Sequence, residues 1–370
     1  MRIRRIEARH LRLPPSGARP LPLTDAPPPP NQARDLLVVE VVTDDGATGI
    51  GLLPEDDASW LRLVILDVVA PRCLGEDSRQ HERLSGAIDT LENPVARRAY
   101  SAIDLALWDL KGKRANEPLW RLWGGSRDSA RLFFDETADP QLSSEAVVQR
   151  GRAALAQGFQ GLRVSTSGAN PEAESHRLVE IRDALGDDFW LAVSVQKSYD
   201  YETALPMTRF LDEEIGADWL EDPLPDDDLA GYRLLTAKTE TALALGRRFN
   251  SPACFRTLLE AGVPFTLRPS LPACGGITGV LKLAALAELH RRSIVPHLPT
   301  EIAIHLACGL PNVPIIGYDS RWAPLFVHPL APKDGRLAPP PGPGLGVELN
   351  RQALERFTVA GESRQVESTG

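Results

Sequence analysis

The feature that most restricts the fold of this chain is an alternation of strand and helix that begins after residue 125. The strand-like segments ARLFFDETA, GFQGLRVSTSG, FWLAVSVQKS, ADWLEDPLP and TALALGRRF each precede a helical pattern, starting near Ser143, Asn170, Glu202, Asp228 and Ser251. VPFTLRPSLPACGGI then leads into a helix over Thr278 to Arg291, SIVPHLPT into one over Glu301 to Cys308, and VPIIGYDS ends the series. Such units, recurring every roughly 20 to 30 residues, predict a closed parallel barrel wrapped by helices. An open doubly wound sheet usually announces itself by a glycine fingerprint after its first strand, and none is present. Barrel chemistry gathers at the C-terminal ends of the strands. The fifth unit places two fixed positive charges there, Arg247 and Arg248.

The first 125 residues read differently. DLLVVEVVTDDGATGIGLL predicts two strands around a turn at Asp44 to Gly46, and Ala96 to Trp123 is helical with Ile103, Ala106, Leu107 and Leu110 on one face. Strands followed by helices predict an α+β unit. The proline-rich PLTDAPPPPNQ between the first strands cannot join a sheet interior. A net charge of -9 carries no basic footprint for nucleic acid. No apolar run approaches the roughly 18 to 20 residues of a membrane helix, and the basic-aliphatic N-terminus reads as a strand, not a signal peptide. Cys73, Cys254, Cys274 and Cys308 lack CxxC spacing, which speaks for a reducing cytoplasm and against a metal cluster.

Four stretches carry a resemblance: RAYSAIDLALWDLKGKRANEPLWRLWGG (Arg98 to Gly125), WLEDPLPDDDLAGY, CGGIT and VPHLPTEIAIHLA. In order and spacing they resemble the landmarks of the mandelate racemase and muconate lactonizing enzyme subgroup of the enolase superfamily, over nearly the whole chain. The resemblance implies an α/β fold, a modified (β/α)7β TIM-type barrel over residues 126–322. An N-terminal α+β capping domain would occupy 1–125, and a C-terminal segment, 323–370, would pack back on it. Members remove a proton α to a carboxylate and stabilise the enediolate with a divalent metal, the strongest stabiliser of a developing second negative charge. Mg2+ wants several oxygen ligands, which the family supplies as three carboxylates from the third, fourth and fifth strand ends.

Residue by residue the chain departs from that pattern. The family's second-strand Lys-x-Lys acid/base pair falls on Arg163 and Ser165, and neither is a base without help. The three metal-ligand positions fall on Ser194, Glu221 and Arg247, with Gln196 beyond the first. The sixth-strand acid falls on Ser270, the seventh-strand histidine is kept as His297, and the acid after the eighth strand falls on Gly317. The resemblance thus implies catalytic positions at His297, Arg163, Ser165 and Ser270, and substrate contacts from Arg163, Arg247 and Lys197, with Arg268 as a further cation. Glu221 is the one metal ligand kept. The expectation is that Arg247 occupies the metal position, pairs with Glu221, and leaves no metal and no cofactor; Mg2+ is the alternative if another loop supplies ligands.

The implied function is a divergent member that acts on or binds a small carboxylate-type anion at the barrel mouth, as a metal-independent isomerase or carbon-oxygen lyase acting by proton abstraction α to a carbonyl. The alternatives are an anion-binding pseudoenzyme and an ordinary Mg2+-dependent racemase or acid-sugar dehydratase. Expected partners are a small-molecule anion and, as in relatives, further copies of the chain; nucleic acid and membrane are not expected. Lys197 and Tyr199 are expected on a loop surface, Asp135, Glu136 and Asp319 at the mouth, and Asp226 to Asp228 in a helix-capping loop. Cys274 is expected to pack, and loops around Pro20 to Gln32 and Leu52 to Trp60 to set substrate preference.

Overall fold

Ile3–Leu13 (β1), Arg34–Thr43 (β2) and Thr48–Pro54 (β3) form a meander buried on both faces, Leu37, Val39 and Val41 on the side of the cap's core and Leu36, Val38 and Leu52 on the side of the larger core. The chain is seen in a computed structural model that describes residues 1–13, 34–135, 140–195, 199–247, 249 and 252–368. Ile6 stands opposite Val41, and Val39 opposite Gly51. The strand Thr358–Glu367 (β12) adds to the other edge of β1, with Val366 opposite Ile6, giving the order β12-β1-β2-β3. The helix Pro94–Ala115 covers this sheet. Asn93 starts it by accepting from the Val95 and Ala96 amides, and Asn116, in the left-handed region at φ 53°, ends it. Ile103, Ala106, Leu107 and Leu110 all join the cap's core. The approach is close enough that a Cβ on Gly51 would lie 1.9 Å from the Ala102 carbonyl oxygen, which is why the third strand carries glycine.

Two buried aspartates on that helix tie it to the rest of the chain. Asp104 accepts from the Thr278 amide at 2.9 Å and from its hydroxyl at 2.6 Å. Asp109 accepts from the Ile50 amide at 2.9 Å and the Leu345 amide at 2.8 Å, and pairs with Lys113. These bonds account for acids inside the otherwise apolar IDLALWDL run. Asp104→Ala would leave the Thr278 N–H buried and unpaired. The expected cost is about 1–3 kcal/mol, read as a lowered urea midpoint at unchanged slope.

The barrel strands are Ala130–Phe134 (β4), Gly161–Ser165 (β5), Trp190–Ser194 (β6), Trp219–Glu221 (β7), Ala242–Leu245 (β8), Phe265–Leu267 (β9) and Ile315–Tyr318 (β10). They lie parallel in the order β10-β4-β5-β6-β7-β8-β9, with Arg336–Leu337 (β11) antiparallel to β4. The segment SIVPHLPT, expected as a full strand, contributes only a bridge between Ile294 and Leu267. Pro296 has no N–H to give the ladder, and the chain resumes with the His297 amide on the Pro269 carbonyl at 2.8 Å. No described helix is long and apolar enough to cross a membrane.

Strand side chains alternate in and out, which layers the barrel interior. Phe133, Ala192, Trp219, Ala244 and Val295 form an apolar plug, its Trp190 and Trp219 rings edge-on at 4.2 Å. One layer nearer the mouth, neighbouring strands bring Ser165, Ser194 and Glu221 side by side.

Candidate active site

The mouth is built around Glu221, which is fully buried. Arg163 starts one layer below it, level with Ala192, and its side chain runs up between strands. Its Nε donates to Glu221 Oε2 at 2.7 Å and its Nη2 to Oε1 at 3.2 Å, while Nη1 donates to Asp135 at 2.8 Å. A planar guanidinium fork suits such a two-carboxylate cradle, and lysine would not. Arg268 lies 3.6 Å from Glu221, donates to the Val295 carbonyl and rests over the Phe133 and Trp219 rings. Arg247 follows Gly246, which turns the chain at φ 114° where a Cβ would strike the Phe255 ring. From there its Nε donates to His297 Nε2 at 3.1 Å.

The expected pairing of Arg247 with Glu221 is therefore corrected: the two parallel bonds to Glu221 come from Arg163. The reason is position, since Arg163 lies inside the ladder beneath Glu221 and Arg247 lies beyond the end of β8. Tyr199 is also not on the surface. It is buried, and its hydroxyl donates to Glu174 at 2.9 Å. Ser270 lines the mouth but its hydroxyl accepts from the Ala273 amide, capping the short helix Leu271–Cys274. Ser165 and Ser194 are buried, and among the described residues their hydroxyls have no hydrogen-bond partner. Asp228 caps the helix Leu229–Lys238, and Cys274 is packed away with its thiol pushed up to about 12 by burial. Lys197, Gln196, Glu136, Arg248 and the loop around Pro20 to Gln32 lie outside the described residues.

Over this floor lies a cavity of about 690 Å³ between cap and barrel. Leu53, Pro54, Glu55 and Arg98 reach it from the cap, and Asp135, Arg163, Arg247, His297, Asp319 and Arg321 from the barrel. Towards the outside Arg98 pairs with Glu55 and Asp57, Arg321 with Asp319, and Arg12 with Asp35. At the inner end, among the described residues, Arg163, Arg247 and Arg268 stand around Asp135 and Glu221, with Asp222 also acting on Arg268. Burial alone would raise the Glu221 carboxyl, but Arg163, Arg268 and Arg247 together hold it below the usual carboxylate range. Asp135 is likewise held low by Arg163 and Arg268 against its burial. His297 is pushed well below the usual imidazole value by burial and then by Arg247, Arg163, Arg268 and Arg321. At Gly317 a Cβ would meet the Phe133 ring at 3.0 Å and Asp135 at 3.3 Å, so the acid expected after the eighth strand would press on Arg163's partner. Sequence reasoning placed Asp135 at the mouth without its role; its spacing of two from inward-facing Phe133 is the signal that could have shown it.

The family model for the mandelate racemase / muconate lactonizing enzyme N-terminal domain matches residues 22–124, and that for the enolase C-terminal domain-like family matches residues 146–353. This chain belongs to the mandelate racemase/muconate lactonizing enzyme subgroup of the enolase superfamily. It is 31% identical over 330 residues to the L-talarate/galactarate dehydratase of Salmonella typhimurium strain LT2, covering 86% of this chain and 81% of that protein. It is 28% identical to the 3,6-anhydro-alpha-L-galactonate cycloisomerase of Streptomyces coelicolor, covering 92% and 96%. The crystal structure of L-talarate dehydratase from Polaromonas sp. JS666 complexed with Mg and L-glucarate superposes with a TM-score of 0.85 at 28% identity, covering 99% of both chains.

That complex overturns the expectation of a cofactor-free protein, because Mg2+ belongs to the chemistry of this family. The residues at this chain's own strand ends fit such an ion poorly. Ser194, Glu221 and Arg247 offer one carboxylate, and Arg163 already holds both its oxygens. Among the described residues no three His, Cys, Asp or Glu side chains form a group that could hold a metal ion, whereas Mg2+ takes a near-octahedral set of oxygens.

Proposed function

We propose that the cavity takes a small carboxylate of the acid-sugar class and that the chain is a lyase or isomerase acting beside that carboxylate. The observation that carries this is that Arg163, Arg247 and His297 line the inner end of a cavity of about 690 Å³, large enough for such a molecule. Guanidinium recognises carboxylate through paired, charge-assisted bonds. Arg247 and His297 line the cavity above the Arg163–Glu221 pair and are the groups that meet the ligand. Fixed donors aimed at the ligand's oxygens stabilise negative charge there without reorganising. The cap residues Leu53, Pro54 and Glu55 line the cavity's other end.

A second reading, binding without turnover, is favoured by the positions where relatives carry their bases, since neither Arg163 nor Ser165 accepts a proton at neutral pH. One experiment separates the two. A panel of aldonic and aldaric acids is screened by thermal shift and by α-proton exchange in D2O, with added Mg2+ and with chelator. Stabilisation of a few degrees together with exchange or a keto product supports catalysis. Stabilisation alone supports the second reading, and a panel without either effect removes both.

A further inference from the structure

The contact between Arg247 and His297 has only one chemically allowed direction. A guanidinium carries N–H donors and no acceptor, so Arg247 Nε, 3.1 Å from His297 Nε2, must donate and the ring must answer with a lone pair. A neutral imidazole has one N–H, and it is then on Nδ1. We infer that His297 is a neutral hydrogen-bond donor at the cavity wall and not its general base, and that Arg247 is the positioning residue that fixes this tautomer.

The surroundings agree from every side. A second proton on Nε2 would face the Arg247 N–H head-on. Arg163, Arg268 and Arg321 add positive charge around the ring, and burial disfavours the imidazolium further. The carboxylates that could have stabilised it are committed elsewhere: Asp135 and Glu221 to Arg163, and Asp319 to Arg321. Ser270, where an acid would hold the other ring nitrogen, caps the Ala273 amide. A neutral imidazole N–H still has work to do, because it polarises a carbonyl or carboxylate oxygen without delivering a full proton. Given the ligand class proposed above, on which this last step rests, the acceptor is an oxygen of the bound carboxylate or its neighbouring carbonyl.

The test reads the ring directly, without ligand. Long-range 1H–15N correlation spectra of the full-length 15N-labelled protein are recorded from pH 5 to 8, with the His297 signals assigned by their loss in His297→Gln. The expected pattern is that of a neutral Nδ1–H ring, unchanged across this range. In Arg247→Met the ring should titrate closer to 6.5 and populate the Nε2–H form. A wild-type ring carrying its proton on Nε2, or protonating with a midpoint near 6.5, overturns the inference; should Arg247→Met not fold, the wild-type spectra decide alone. Adding the acid panel then separates the two proposals. Acids that move no His297 signal count against the ligand assignment, while the tautomer stands on the ligand-free spectra.

Discussion

Arg163→Met is expected to lose about 3–5 kcal/mol of unfolding free energy at pH 7, measured as a lowered urea midpoint. Methionine keeps most of the length and apolar bulk of the side chain, so the change isolates the guanidinium. It removes three hydrogen bonds at once, two from Glu221 and one from Asp135. Stripping the partner from a buried ion pair costs in this range because an uncompensated charge stays behind. Arg268, 3.6 Å from Glu221, limits the damage. Without Arg163, burial takes over and the Glu221 carboxyl rises above its unfolded value. The variant's deficit is then smallest at acid pH, below the depressed wild-type value, and grows as pH rises from there to the new folded value. Arg163→Met/Glu221→Gln should recover part of the loss, since the buried charge goes too. A single variant within about 1 kcal/mol of the wild type at pH 7 would show that the cradle does not hold the mouth together.

The second large effect concerns Glu301, in the first turn of the helix Thr300–Gly309 and 2% exposed. Burial, with Asp319 adding repulsion, pushes its carboxyl up to about 8. The folded chain therefore keeps this proton between about 4.5 and 8, where the unfolded chain has released it. Stability from this group is fully present below about pH 4.5 and is lost as pH rises through about 8. Between pH 5 and 8 the loss is roughly 3 kcal/mol. His297 works in the opposite sense: its folded value is depressed, so its contribution is complete above the unfolded value near 6.5 and disappears as pH falls. Glu301→Gln leaves that untouched. Subtracting the two pH–stability curves should thus show the variant gaining on the wild type by roughly 3 kcal/mol from pH 5 to 8, and parallel curves would contradict the burial argument.

These sites show where reading the chain works and where it stops. Arg163, Ser165, Ser194 and Glu221 were named through the family resemblance, and their shared inward face agrees with the alternation of side chains along a strand. Which arginine reaches Glu221 was not legible. Arg163 and Arg247 both approach it, and the choice depends on one layer of height along the barrel and on the turn at Gly246, neither of which has a sequence pattern of its own. Tyr199 was misjudged for a related reason, because an irregular loop has no period from which burial can be read. Glu301 was read only as the start of a helix over Glu301 to Cys308, and every residue of that helix is buried. Pro296, by contrast, was visible all along as a residue that cannot complete a ladder, and it accounts for the strand that became a bridge.

The pairing of β12 with β1 bears on how the molecule comes together in time. Ile6 meets Val41, in the next strand of the chain, on one side, and Val366, nearly the whole chain away, on the other. Closing so long a loop has a high entropic cost before any contact rewards it, which slows folding. During synthesis the cap must therefore wait, with one flank of its first strand open to any passing edge, until the last strand leaves the ribosome. Chains stalled before β12 should associate through that flank, and completed ones should not.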